Sequence, residues 1–401
     1  MPARHQPKTQ GAAPLGSGLL LVLAFLAATG PFTVDLYLPS FPGIAADLAV
    51  TPSEVQLTLT SFLVGMAAGQ LGFGPLSDRY GRTRPLLLGS GAFVLASIAC
   101  AAAPNLGVLI AARFVQGLCA AAGPVIARAV AADLTSGPAA ARTFSLLMTI
   151  GGVAPVIAPV IGGLLTGLGG WRSVLWTLAG IAALMFTCAA GAVRETLPAR
   201  ARSAGPPFAG LGVVLRRGRF LGYALLFASS FGVLMSYISA SPFVYQSIMG
   251  LGPESYGLLF GLNAAGMVGA GLISARLSRR VPPRRTVLRA VAVMLGFAVV
   301  LLVLVLTAVP PLLLAVPLFC MVSSLGFIMG NTTALALAEA GGATGSGSAV
   351  LGGAQFLMGA AVSPLTGLGG EFTALPLAVV MASSALLAAT ALFLTRQRHS
   401  T

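Results

Sequence analysis

Two ionisable residues, Asp35 and Arg113, lie inside long apolar runs of the sequence. Of the nine acidic residues only Asp35 is far from the end of its run, and among the basic residues the same holds for Arg113. Each lies about six residues from one end, which corresponds to a depth of about 9 Å if the runs are helices. Because an unpaired charge at that depth is costly, we expect the two side chains to form an ion pair.

The composition places this pair in a membrane protein. The chain has 401 residues, of which 57% are hydrophobic and 8% are charged, whereas soluble domains contain about 25% charged residues. The two histidines, His5 and His399, and the single lysine, Lys8, lie near the chain ends. These features exclude a soluble enzyme and a nucleic-acid-binding protein, and they predict no metal site, no cofactor and no ATP-binding phosphate loop.

Twelve apolar segments are long enough to cross a bilayer as helices, which takes about 20 residues each. They cover residues 17–42, 53–74, 85–103, 106–132, 142–168, 171–193, 219–245, 254–275, 286–308, 311–337, 345–369 and 372–395. Arginines are concentrated on one side of these segments, while Asp47, Glu54, Glu254 and Glu371 lie on the other. This asymmetry predicts a multi-pass protein of the cell inner (plasma) membrane with both termini in the cytoplasm.

A stretch rich in proline and arginine separates the first six segments from the last six. We therefore expect a tail at 1–16, a six-helix bundle at 17–193, a linker at 194–218, a second six-helix bundle at 219–395 and a tail at 396–401. The sequence Gly74–Arg79 has a weaker counterpart in Gly271–Arg276, which indicates a duplication. Duplicated halves that bind a substrate between them are typical of secondary transporters.

The loop after the second segment carries a recognisable motif. Its sequence, Gly74-Pro75-Leu76-Ser77-Asp78-Arg79-Tyr80-Gly81-Arg82-Thr83-Arg84, resembles the loop signature of the major facilitator superfamily, G-x-L-x-D-R-x-G-R-[KR]. An acid at a helix end beside several arginines can form a charged latch, so we expect a cytoplasmic gate between the halves. The predicted gate residues are Gly74, Asp78, Arg79, Gly81 and Arg82.

Further short sequences resemble the drug:proton antiporters, in particular the bicyclomycin- and chloramphenicol-resistance (Bcr/CflA) branch. They are Asp35–Pro39, Arg113–Gly117, Ala154–Pro159 with Gly162–Gly163, Ser241–Tyr245, Phe260–Asn263 and Gly353–Phe356. This resemblance implies an all-α fold with 12 transmembrane helices in two pseudo-symmetric six-helix bundles. It also implies export of small antibiotics or other organic compounds in exchange for protons.

Asp35 and Arg113 are the predicted proton-coupling pair. Substrate and proton would exclude each other at Asp35, and that competition produces antiport; alternatively, the pair only fixes helix packing. A drug site has aromatic walls and few neutral polar groups, although each such group could instead link two helices. The predicted substrate-binding residues are Tyr37, Gln116, Tyr237, Tyr245, Asn263, Asn331 and Gln355.

Small residues recur at intervals of four in several segments, which places them on one helix face where two backbones can approach closely. We predict that these faces form seams between the halves; ordinary packing within one half is the alternative. The fifth segment carries Gly151, Pro155, Pro159 and Gly163, and the eighth carries Gly257, Gly261, Ala265 and Gly269. The second carries Ser61, Gly65 and Gly69, and the eleventh carries Gly345, Ala349 and Gly353.

Together these features predict a monomeric, proton-coupled antiporter that exports small amphipathic drugs. Its expected partners are the drug, protons and membrane lipids. An uptake symporter for a metabolite or sugar is one alternative, although sugar sites usually have more carboxamides and acids facing the cavity. A lipid scramblase and a membrane enzyme are further alternatives, and the apolar runs offer an enzyme neither histidines nor paired acids.

Overall fold

A computed structural model describes residues 16–135, 137–198, 211–278, 280–307, 309–341 and 344–395 of the chain. Within these ranges the regular structure is helical and no strand occurs. The predicted tails at 1–16 and 396–401 and much of the linker at 194–218 lie outside the described residues, apart from Gly16, 194–198 and 211–218.

The described chain forms a series of α-helices, numbered here in chain order. They are α1 (Ser17–Ala27), α2 (Thr29–Asp35), α3 (Phe41–Leu48), α4 (Pro52–Tyr80), α5 (Thr83–Ala101), α6 (Leu106–Ala120), α7 (Ala122–Leu134), α8 (Gly137–Ala192), α9 (Leu211–Leu215), α10 (Gly218–Phe243), α11 (Pro253–Leu277), α12 (Pro283–Leu306), α13 (Ala315–Ala338), α14 (Thr344–Val362) and α15 (Leu375–Leu394).

Ten helices of the described chain are long and apolar enough to cross a membrane, or 11 if the bent pair Ser17–Ala27 and Thr29–Leu48 counts as one span. The sequence predicts 12 spans. The count from the structure is one lower because α8 contains both the fifth and the sixth predicted segments. Gly170 interrupts α8 with φ 68° and ψ −174°, a conformation that glycine adopts without steric cost. The predicted fold class, an all-α polytopic membrane protein, is confirmed.

The first predicted segment is a broken helix. After α2 ends at Asp35, a 3₁₀ turn covers Leu38–Ser40 before α3 begins. Pro39 lies in this turn, and a proline ring displaces the carbonyl four residues earlier, here that of Asp35, from its helical hydrogen bond. The break therefore places Asp35 at a helix end in the interior of the protein.

The helices form two groups, and two pairs of helices make the largest contacts between them. Within the first group α4 packs against α6 and α5 packs against α8, while in the second group α12 packs against α13 and α10 packs against α15. Across the groups α8 packs against α11, and α4 packs against α14. These two pairs form most of the interface between the groups, and the segment Leu38–Leu48 of the first group adds contacts with α10 and α11.

The small residues of the second predicted segment lie elsewhere than expected. Ser61 donates a hydrogen bond to the carbonyl of Ile110 at 2.6 Å, and a Cβ atom on Gly65 would collide with the backbone of α6 at Phe114. This face of α4 therefore packs inside the first group. In the eleventh predicted segment, a Cβ on Gly353 would meet no atom within 4 Å. The predicted seam between these two stripes is wrong, because α4 turns its small face towards α6 and contacts α14 with another face.

Candidate transport site

A cavity of about 200 Å³ lies between the two groups of helices. Its wall is almost wholly apolar, and Asp35 and Tyr237 are its members with polar side chains. The lining residues are Gly30, Pro31, Val34, Asp35, Phe62, Leu63, Met66, Pro155, Phe231, Leu234, Met235, Tyr237, Ile238, Phe260, Ala264, Met267, Val322 and Phe356. The cavity thus has the aromatic and aliphatic walls of a site for apolar small molecules.

Asp35 supplies the only carboxylate of this wall. Its residue is 4% exposed, and its side chain forms no hydrogen bond or ion pair with another residue of the described chain. A buried carboxylate without a partner is costly in its charged form. A proton or a hydrogen-bond donor of a bound molecule would remove that cost.

Arg113 is fully buried and has different neighbours. Its Nη1 atom donates to Gln116 Oε1 at 2.6 Å, and Nη1 and Nη2 lie 3.4 and 3.5 Å from the carbonyl oxygen of Thr33. The guanidinium carbon lies 4.4 Å from the ring centre of Tyr37 and 4.8 Å from that of Phe62. Aromatic faces and a carbonyl therefore stabilise this charge, as in other cation–π contacts.

The predicted ion pair between Asp35 and Arg113 is thus absent from the described structure, and that prediction is wrong. Thr33 and Tyr37, which contact Arg113, are four residues apart and share one helix face. Asp35 lies midway between them, so its side chain points to the opposite face. The contacts of Arg113 with Thr33 and Tyr37 place it level with Asp35, but the two side chains do not face each other.

Four aromatic residues of the second group form a cluster beside the cavity. The ring of Tyr237 stacks on Phe260 with 5.4 Å between centres, and Tyr256 lies 5.9 Å from Phe260 and 6.1 Å from Tyr245. The Tyr237 hydroxyl is buried, and its polar neighbour in the described structure is the hydroxyl of Tyr245. Asn263 donates to the Tyr245 hydroxyl at 3.4 Å. Of the predicted substrate-binding residues, Tyr237 therefore lines the cavity, and Tyr245 and Asn263 lie behind it.

Tyr256 also belongs to this cluster, although it is not among the residues predicted from the sequence. It lies one helical turn before Phe260 on α11, and its hydroxyl lies 3.2 Å from that of Ser241. The spacing of four from Phe260 was a signal in the sequence, since such residues share a helix face.

The other predicted substrate-binding residues occupy different positions. The Tyr37 hydroxyl lies 3.1 Å from Thr58 Oγ1, and Gln116 donates to Ser97 Oγ at 2.9 Å, so both are tied into the first group. Asn331 donates to Ser274 Oγ at 2.7 Å and thereby joins α13 to α11. Gln355 is half-buried on α14, next to Phe356 of the cavity wall. Tyr37, Gln116, Asn331 and Gln355 are not among the residues that line the cavity.

Among the predicted gate residues, Arg82 is buried at one end of the first group and contacts Asp78. Arg82 forms hydrogen bonds with Asp78 and with Ser77, and its Nε donates to Asp133 at 2.9 Å. Burial alone would lower the pKa of Arg82, but the hydrogen bonds to Asp133 and Asp78 outweigh it and raise this pKa.

The remaining predicted gate residues are more exposed or lie in the backbone turn. Gly81 ends α4 with φ 89°, Arg79 lies over the ring of Tyr80, and a Cβ on Gly74 would meet no atom within 4 Å.

Two residues outside the predicted set, Glu195 and Thr196, complete this cluster. The carboxylate of Glu195 accepts hydrogen bonds from the backbone amides of Arg82 and Thr83, and Thr196 donates to Asp133 at 2.7 Å. All these partners belong to the first group of helices. The motif therefore holds α4, α5, α7 and the segment after α8 together, whereas a latch across the two groups was expected.

Replacing Arg82 with Gln should destabilise the protein by about 2 kcal/mol, because charged acceptors lose their donor. Arg79→Gln is the matched control, since Arg79 contacts the Tyr80 ring and no acidic side chain of the described chain. The measurement is the free energy of unfolding in mixed micelles. Equal losses in the two variants would contradict the structural role of Arg82.

The small residues of α8 and α11 meet as a close seam. A Cβ on Gly257 would lie 2.5 Å from the Pro159 carbonyl oxygen, and a Cβ on Gly163 would collide with the carbonyl of Pro253. Pro155 lines the cavity, and the surroundings of Gly151 lie outside the described structure. The structure thus places Pro159 and Gly163 of α8 against the backbone of α11.

Hydrogen bonds between the two groups, within the described residues, lie at the end of the molecule that contains Asp47 and Glu371, here called the acidic end. The donors and acceptors are Ser53 Oγ to Pro364 O (2.9 Å), Gln56 Nε2 to Ser239 O (3.1 Å), Thr60 Oγ1 to Ala360 O (3.2 Å) and Gln246 Nε2 to Pro39 O (3.0 Å). The opposite end, which contains Arg82 and Arg284, is called the arginine-rich end. The cavity is therefore closed off towards the acidic end.

Two groups of membrane-spanning helices, a cavity between them and one closed end define a secondary transporter. The Major Facilitator Superfamily profile matches residues 20–364, so the chain belongs to this superfamily.

Relatives and solved structures agree with this assignment. The MFS-type transporter YdgK of Bacillus subtilis is 38% identical over 386 residues, covering 95% of this chain and 96% of YdgK. A bicyclomycin resistance protein homolog of Haemophilus influenzae is 30% identical over 389 residues, covering 95% of this chain and 96% of its own. A bacterial homologue of the human lysosomal transporter Spinster has the same fold, with a TM-score of 0.74, 17% identity and 96% and 97% coverage of the two chains. The predicted resemblance to the drug:proton antiporter branch is confirmed by these matches.

Proposed function

We propose that this transporter exports small amphipathic compounds, such as antibiotics, in exchange for protons. The observation that carries the proposal is the solitary Asp35 carboxylate in a cavity whose other walls are apolar or aromatic. The name of the Haemophilus relative, a bicyclomycin resistance protein homolog, supports a drug as substrate.

The protein would lie in the inner membrane with its arginine-rich end and both termini in the cytoplasm, because positive residues are retained on that side. With this orientation, the hydrogen bonds of Gln56 and Gln246 close the cavity towards the outside. A substrate would then enter the cavity from the cytoplasm or the inner leaflet.

Coupling would arise from the two ways of neutralising Asp35. When the cavity opens to the more acidic outside, a proton binds to the carboxylate and the substrate leaves. When the cavity faces the cytoplasm, the proton departs and a substrate with a hydrogen-bond donor or a positive charge takes its place. Proton and substrate never occupy Asp35 together, and this exclusion couples their opposite movements.

Arg113 has a different role in this scheme from the one that the sequence suggested. Its contacts with Gln116, Thr33 and Tyr37 hold the broken first span against α6. It would therefore fix the position of Asp35 through the backbone of Thr33, and it would not compete for the carboxylate.

The test is protection of a pump-deficient bacterial host that expresses the chain. Bicyclomycin, a phenicol and a cationic dye are compared, each with and without a protonophore. We expect resistance to at least one compound and its loss when the proton gradient is collapsed. Resistance that persists without the gradient, or inward accumulation of the compound with protons, would contradict the proposed antiport.

A further inference from the structure

The arginine-rich end carries a cluster of basic side chains that the transport site does not use. Arg276, Arg280, Arg284, Arg285 and Arg289 lie on the end of α11, the following loop and the first turns of α12. In the described part of the chain the ion pairs of arginines are made by Arg82, Arg172 and Arg219. The five side chains of this cluster thus have no acidic partner within it.

A groove of about 390 Å³ begins at this cluster and lies away from the central cavity. The groove lies between α12 and α13, which pack against each other, and Leu277 at the end of α11 lines its border. Its wall is mainly apolar, with Val293, Phe297, Phe319 and Phe327 among its lining residues. Arg289 is the charged residue of the wall.

The position of Arg289 is suited to an amphiphile. It lies six residues after the start of α12 at Pro283, about 9 Å along the helix axis. Arg285 is four residues earlier and therefore on the same helix face. A long arginine side chain at this depth can keep its guanidinium at the level of lipid headgroups while its stem contacts apolar atoms.

A similar groove occurs in the first group of helices. About 400 Å³ lies between α4 and α5 above α6, with Leu88 and Cys119 in its wall and Arg84 as its charged residue. Arg84 lies in the first turn of α5. The same combination of an apolar groove and an arginine near a helix start therefore recurs in each group.

We propose that the groove between α12 and α13 binds an anionic phospholipid. One acyl chain would lie along the phenylalanines, and the phosphate would lie near Arg285 and Arg289. The charge of the cluster favours this occupant over a cationic drug, because each arginine near the membrane surface attracts anionic headgroups. The site is separate from the Asp35 cavity, so the proposal does not depend on the proposed function.

The test is lipid retention by the purified full-length protein, measured by native mass spectrometry after addition of phosphatidylglycerol or phosphatidylcholine. We expect stronger retention of phosphatidylglycerol. Arg289→Gln should reduce it about fivefold, and loss of both Arg285 and Arg289 about thirtyfold. Val293→Trp should fill the groove and reduce retention of the acyl chain.

Val299→Trp is the matched control for Val293→Trp. Both valines are on α12 and about half exposed, at 55% and 48% respectively, but Val299 does not line the groove. Unchanged retention in Val293→Trp, equal losses in both tryptophan variants, or equal binding of the two lipids would overturn the proposal. A dimer in the wild type that Val293→Trp dissociates would instead assign the groove to a second copy of the chain. Each variant is first checked for a monodisperse elution profile.

Discussion

Replacing Asp35 with Asn should abolish efflux driven by a pH gradient while leaving substrate exchange intact. The carboxamide keeps the size of the side chain and can still contact a substrate, but it cannot bind and release a proton. With one proton per cycle, each pH unit is worth about 1.4 kcal/mol, which sustains about a tenfold concentration ratio of a substrate. The variant should sustain none of this ratio.

The measurement uses proteoliposomes with an imposed pH gradient, followed by counterflow at equal pH in the same preparation. Asp47→Asn is the matched control, because Asp47 bonds to Trp171 and Arg172 and lies outside the cavity lining. Counterflow shows that the Asp35 variant is folded and binds its substrate. If Asp35→Asn accumulated substrate as the wild type does, the proposed proton coupling would be wrong.

The Arg113→Gln variant, measured in the same experiment, tests whether Arg113 forms an ion pair with Asp35. Because Arg113 bonds to Gln116 and Thr33 rather than to Asp35, its loss should lower the stability of the first group of helices. Whatever transport remains should keep the pH dependence of the wild type. If Arg113→Gln changed the pH dependence as much as Asp35→Asn does, the result would support an ion pair between Arg113 and Asp35.

Replacing Gly257 with Ala should reduce transport by about tenfold to a hundredfold, because overpacking of this kind costs about 1–3 kcal/mol. The added Cβ would lie 2.5 Å from the carbonyl oxygen of Pro159, a backbone atom that cannot rotate away. The cost falls on the conformation in which α8 and α11 are in contact. The variant should therefore shift towards the opposite conformation.

Gly269→Ala is the control for this variant, since it adds the same methyl group to the same helix at a position with no atom within 4 Å. Efflux rates and the accessibility of a single cysteine introduced at the acidic end are compared in both proteins. Gly257→Ala should increase labelling of that cysteine. Normal transport by Gly257→Ala would show that the seam tolerates separation of the two backbones.

Much of the candidate site was predictable because burial of a charge in an apolar run is visible in the sequence. Asp35 was selected for that reason, and it lines the central cavity. Tyr237 was selected as an aromatic residue with a polar group, and it also lines the cavity. Asn331 met similar criteria but links α13 to α11, since composition does not show which face of a helix meets a neighbour.

The charged motif around Arg82 also shows that the sequence does not reveal which distant residues become partners. Its residues were identified from their order along the chain, but their partners, Asp133 and Glu195, are distant in sequence. Only packing of α7 and the segment after α8 near the start of α5 brings these carboxylates to Arg82. The cluster therefore stabilises one group of helices, where a latch between groups was expected.

The sequence alone determined that this is a multi-pass helical protein of the Major Facilitator Superfamily, because hydropathy and a local motif are properties of contiguous residues. It also predicted that Asp35 and Arg113 lie level with each other, since relative depth follows from residue count along a helix. The tertiary structure decided which way each side chain points. That direction depends on the break before Pro39 and on the neighbours of α2 and α6, so Arg113 lies against Thr33 and Tyr37 while Asp35 faces the cavity.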